Sequence, residues 1–132
     1  KKLHAELGCQ NVTMLDSVPK AEVKRYISVL DISLINLKKS DLFTTVIPSK
    51  IFENAAMAIP ILMGVEGEAQ EIVESYGAGV CFEPENEKDL NEKLEMLANV
   101  DFYNACKEGC LRLADDFDRK NLALKMYNII TK

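Results

Sequence analysis

Three residues set the chemical question: Ser49, Lys50 and Glu53, in the run "PSKIFENAAMAIPIL" at residues 48–62. Proline has no N–H to lose at a helix start, so Pro48 marks one. The N–H groups of Ser49, Lys50 and Ile51 are then expected to stand free at that N-terminus, where the positive end of the helix dipole attracts phosphate. Lys50 adds a mobile cation. Glu53 follows three residues later and shares its face. A carboxylate has two acceptor oxygens and matches a vicinal diol such as the 2′ and 3′ hydroxyls of a ribose. Phosphates at the helix end and ribose on Glu53 would make a nucleotide site. The spacing equally allows Glu53 to be a solvated acid in the first helical turn, which the dipole also favours.

Those residues need a frame. Four apolar runs predict strands: residues 11–15 (NVTML), 32–37 (ISLINL), 61–65 (ILMGV) and 79–82 (GVCF). Between and after them apolar residues recur at helical spacing: Val23, Tyr26, Ile27, Leu30; then Ala69, Ile72, Val73, Tyr76; more loosely Leu90, Leu94, Leu97. Strand–helix alternation with unbroken apolar strands predicts an α/β fold, a Rossmann-like parallel sheet with helices on both faces. Pro19 stands near another helix start, Gly77 at a helix stop, and "FEPENEKDL" (82–90) reads as a turn followed by an acidic first turn. Phe102, Ala105, Cys106, Cys110 and Leu113 predict one further helix. Ala123, Met126, Tyr127 and Ile130 predict a last one, over residues 118–131.

Ligands of open parallel sheets bind outside the carboxyl ends of the strands, which selects residues 16–20, 38–48 and 64–68. In the third loop Gly67 permits close approach of backbone, and Glu66, Glu68 and Glu71 read as acids at a helix start facing water.

The 132 residues suit a single domain, 1–132, and 48% hydrophobic with 28% charged residues is a globular composition. No apolar run approaches the roughly 20 residues of a membrane span. The opening "KKLHAELG" lacks an apolar signal region, and it reads as the inside of a helix, so the chain is expected to be truncated at its N-terminal side. A net charge of −5, with only Lys1-Lys2, Lys24-Arg25 and Lys38-Lys39 as cationic clusters, argues against nucleic acid as a partner. Cys106 and Cys110 fall on one helical face, but His4 is the only histidine and no second close cysteine pair exists. A zinc site therefore lacks ligands. The expectation is free, buried thiols in a reducing, cytoplasmic setting, with no metal and no cofactor.

From about Gly8 to Leu97, and more loosely to the end, the sequence resembles the C-terminal, donor-binding half of retaining GT-B glycosyltransferases of the glycosyl transferases group 1 family, which build bacterial surface polysaccharides. The resemblance runs through "NVTMLDSVPKAEVKRYISVLDISLINL", "PSKIFENAAMAIPIL" and "GEAQEIVESYGAGVCFEPENEKDL". It implies transfer of a sugar from a nucleotide diphosphate sugar to an acceptor hydroxyl with retention, without a bound metal. It implies that Glu53 holds the ribose, Ser49 and Lys50 serve the diphosphate, and Val18 with Leu37 and Lys38 flank the base. An N-terminal acceptor-binding half would complete the enzyme, and any membrane association would come through that half. The family hallmark is Glu, seven residues, Glu; the first position here is Thr45, and a branch with "PSK-x-F-E" likewise lacks that upstream Glu. Gly67-Glu68 stands where a Gly-Gly pair is common. No general base is assigned.

Three rivals share the architecture. A receiver domain needs an acidic pair after the first strand, a phosphoacceptor Asp and a Lys ending the last strand; Asp16 has no acidic neighbour, Lys38 follows Leu37, and Glu83 follows "CF". A sugar-nucleotide epimerase fits "PSKIFENAAMAIP" less well. A nucleotide-binding or scaffolding domain that has lost catalysis draws support from Thr45.

Overall fold

The computed structural model describes residues 2–131, so Lys1 of the first cationic cluster lies outside the described residues. In chain order the elements are α1 (Lys2–Leu7), α2 (Val23–Ile27), β1 (Ser33–Asn36), a 3-10 turn (Asp41–Phe43), α3 (Lys50–Ala55), β2 (Ile61–Gly64), α4 (Glu68–Tyr76), β3 (Gly79–Cys81), α5 (Glu87–Leu97), α6 (Val100–Asp116) and α7 (Arg119–Ile130). The three strands form one parallel sheet in the order β1-β2-β3, with Ser33 beside Ile61 and Ile61 beside Gly79.

β2 is the centre, and all four of its residues are buried. Its alternation divides the core in two. Ile61 and Met63 join Ile51, Ala55, Ala69, Val73, Cys110 and Leu113 on one face; Leu62 joins Val80, Phe82, Leu97 and Cys106 on the other. Helices α3 and α4 thus cover one face and α5 the other, while α6 reaches both clusters through residues one turn apart. The layered α/β expectation holds for β2 and β3. It holds only half for β1, an edge strand whose Ser33 and Ile35 are buried while Leu34 is 56% exposed.

The expected fourth strand is absent among the described residues. Residues 11–15 belong to no strand and are all exposed, Leu15 to 65%. A β-prone run becomes a strand only where a neighbour supplies a ladder, and β1 pairs with β2 alone. The helix expected from the spacing of Val23 to Leu30 shortens to α2, with Val29 and Leu30 left exposed. At the other end α7 matches its expected span, capped by the Asp118 carboxylate, which accepts from the N–H groups of Lys120 and Asn121 at 2.9 and 3.1 Å. Its Met126, Tyr127 and Ile130 are all more than 60% exposed.

Local signals explain the well-formed middle. Asn86 caps α5 by accepting from the Asp89 N–H at 3.1 Å, and Asn99 caps α6 through the Phe102 N–H at 3.0 Å. Gly77 ends α4 in the left-handed conformation at φ 60°. All four cysteines are free thiols; Cys106 and Cys110 are buried, whereas Cys9 and Cys81 are half-buried. Burial pushes the Cys81 and Cys110 thiols up to about 12, so neither is a thiolate nucleophile near neutrality. The Cys110 thiol instead donates towards the carbonyls of Ala78 at 3.1 Å and Ile59 at 3.3 Å.

Gly109 lets α6 close onto the α4–β3 turn: a Cβ there would lie 2.2 Å from the Gly77 carbonyl oxygen, a backbone atom that cannot swing aside. Gly109→Ala is therefore expected to cost about 1–3 kcal/mol of stability through overpacking. Urea unfolding checks this, and an unchanged midpoint would show that α6 does not depend on that contact.

Candidate functional site at the carboxyl ends of the strands

Parallel pairing brings the ends of β1, β2 and β3 to one edge of the sheet. Three loops meet there, following Asn36, Gly64 and Cys81. They enclose a small recess lined by Leu37 to Ser40 and Thr44 from the first, Gly64 to Glu66 from the second and Pro84 from the third. Leu37 and Lys38, expected beside a nucleotide base, do line it. Residues 16–20 follow no strand, and Val18, half-buried, does not line the recess.

The most connected side chain at the edge is Lys39. Its Nζ lies 2.6 Å from Glu83 Oε1 and 4.0 Å from Glu66 Oε1. Its backbone N–H donates to Glu85 Oε1 at 3.3 Å. Glu83 is fixed in turn: its Oε2 accepts from Asn86 Nδ2 at 3.0 Å and its N–H donates to Asp89 Oδ2 at 2.7 Å. One amine thus ties the loop after β1 to the loop after β3 and faces a carboxylate of the loop after β2. The hydrogen bond and charge of Glu83 raise the Lys39 pKa, and the hydrogen bond from Lys39, then that from Asn86, lowers that of Glu83.

The second loop is locked to the first by a backbone contact. Gly67 sits at φ 84°, and a Cβ there would fall 2.1 Å from the Thr44 carbonyl oxygen. The same oxygen accepts the Glu68 N–H at 2.9 Å, so the first donor of α4 is occupied by protein. Thr45 follows directly and is exposed. Glu68 and Glu71 face solvent in the first turn of α4, whereas Glu66 turns towards Lys39.

Ser49, Lys50 and Glu53 lie on the neighbouring helix, α3. Ile51, Asn54 and Ala55 form its buried side, which leaves Lys50 and Glu53 exposed along the other. Among the described residues none of the three side chains has a hydrogen bond or ion pair, and none lines the recess around Lys39. The expected cradle of free N–H groups is smaller than the sequence suggests. The Ile51 N–H donates to the Pro48 carbonyl at 3.1 Å, because the helix starts with a tight 3-10-type turn. Ser49 already has helical dihedrals and makes no side-chain cap.

Sequence reasoning passed over Lys39, Glu83, Glu85 and Asn86 as site residues. The signal was present: the rule that selects loops after parallel strands applies to residues 82–86 as well, and "EPEN" sets two carboxylates directly behind β3.

The Lys39–Glu83 pair has a definite pH window. A carboxylate with a lowered folded pKa contributes stability above its ordinary value of 4.5 and loses it as pH falls through the folded value. A lysine with a raised pKa contributes below 10.5 and loses it as pH rises through the folded value. The stability difference between wild type and Glu83→Gln should therefore be greatest from about pH 5 to 10 and vanish in acid. Urea midpoints within that range and in acid, below the folded pKa of Glu83, test it; a difference that persists when Glu83 is protonated would assign the effect to Asn86 and the loop rather than to the charge pair.

Comparison with protein-family profiles, with curated proteins and with solved structures gives no match.

Proposed function

We propose that this chain is the donor-binding part of a retaining GT-B glycosyltransferase: it holds a nucleotide diphosphate sugar while the sugar passes to an acceptor hydroxyl, in polysaccharide or glycolipid synthesis. The observation that carries this reading is the run at residues 48–62, with Glu53 exposed one turn into the helix that follows the β1 loop. A parallel sheet whose strand ends meet at one edge is the setting in which such ligands bind. In this reading Glu53 accepts both ribose hydroxyls and Leu37 and Lys38 border the base. Ser49 and Lys50 meet the diphosphate. As the glycosidic bond to the diphosphate breaks, negative charge grows on the leaving oxygen, and nearby cations stabilise it. The acceptor and the rest of the catalytic apparatus belong to a companion half.

A second reading is a nucleotide-binding or scaffolding domain of the same fold without catalysis. Thr45 favours it, since the family places a carboxylate against the donor sugar there.

With one short helix start, a lysine and Glu53 as contacts, the chain is expected to bind a nucleoside diphosphate at about 1 mM. Calorimetry with uridine, guanosine and adenosine diphosphates checks this. Glu53→Gln should weaken that binding by about 10-fold through loss of charge-assisted hydrogen bonds, yet leave a 2′,3′-dideoxy analogue unaffected. Equal losses for both ligands would show that Glu53 is only a solvated acid.

A further inference from the structure

We propose that Lys39, not Lys50, is the principal contact for the phosphate groups of an anionic ligand at the strand ends; this rests on, and deepens, the nucleotide-binding reading. Two facts separate the lysines. Lys50 is exposed, has no side-chain partner among the described residues and lines no part of the recess. Lys39 lines the recess and is held at both ends, its N–H by Glu85 and its Nζ by Glu83. A lysine normally loses much rotamer entropy on binding an anion; here the protein has already fixed the chain. An ammonium has three donors, and only one makes a short contact, at 2.6 Å, so two remain directed to the recess or solvent.

The surrounding carboxylates make the proposal sharper. Glu66, Glu83 and Glu85 face Lys39, with Lys38 as the second cation of the recess. Three negative charges against two oppose an incoming phosphate. Glu66, at 4.0 Å, is the one whose contact is too long for a hydrogen bond, so it repels a ligand without positioning the lysine. The two substitutions should therefore act in opposite directions.

The test uses the full chain, with inorganic pyrophosphate and uridine diphosphate as separate probes followed by calorimetry and by the amide NMR shifts of residues 37–44. Lys39→Met should weaken both probes by about 5–10-fold, clearly more than Lys50→Met does, while Glu66→Gln tightens both by about 2–3-fold. Lys39 is about half exposed, so its substitution should leave far-UV circular dichroism unchanged; should Lys39→Met misfold, the Glu66→Gln arm decides the matter alone. Equal affinities in wild type, Lys39→Met and Glu66→Gln would overturn this assignment and leave the nucleotide reading standing. Binding of pyrophosphate but not of uridine, guanosine or adenosine diphosphate would overturn the nucleotide reading and keep Lys39 as an anion contact. If none of the probes binds at millimolar concentration, both fall.

Discussion

The parallel pairing of β2 with both neighbours is the constraint on which everything else depends. A strand hydrogen-bonded on both edges and covered on both faces has no polar surface to offer, and Ile61, Leu62, Met63 and Gly64 are accordingly all buried. Because the pairing is parallel, both strand-to-strand connections must cross over the sheet, and they put α3 and α4 on one face; α5, after the last strand, covers the other. The same pairing brings all three strand ends to one edge. The site is thus a consequence of strand direction before it is a matter of any particular side chain.

At that edge electrostatics takes over. Buried polar side chains are satisfied throughout the described residues, so they impose no unmet hydrogen-bond demand on the mouth. What the mouth contains is an excess of carboxylate around one amine. Exposed ion pairs are individually weak, yet this one bridges loops 44 residues apart in sequence and is reinforced by Asn86 and Asp89. Its structural effect is to hold the β1 loop over β3, while the Thr44–Gly67 contact holds it against α4. The loop is therefore fastened at two points, one ionic and pH-sensitive, the other steric.

Stability is distributed unevenly. The two apolar clusters draw on residues 32–117. The segments outside, α1 to α2 and α7, bury no residue and carry Leu7, Val12, Leu15, Val29, Ile129 and Ile130 in the open. Segments with few buried apolar contacts open at low free-energy cost, so the core and its strand-end edge form the rigid part of the chain.

How much of this was legible beforehand follows from the range of the interactions. Helices α4, α5 and α6 rest on neighbours within a few positions: the 3.6-residue spacing of Ala69, Val73 and Tyr76, the caps Asn86 and Asn99, the left-handed Gly77. Those signals are written locally, and the sequence sufficed. β2 and β3 were equally plain, because burial on two faces demands unbroken apolar runs. Residues 11–15 carry the same local signature and yet form no strand, since a ladder needs a partner that no single run encodes. Likewise Lys50 and Glu53 were conspicuous because they adjoin each other in sequence, whereas Lys39, Glu66 and Glu83 become neighbours only when three parallel strands end side by side. The sequence by itself determined the helices and strands between residues 61 and 116; the tertiary structure alone decided which charges meet, because the distance between loops is fixed by sheet register and not by spacing along the chain.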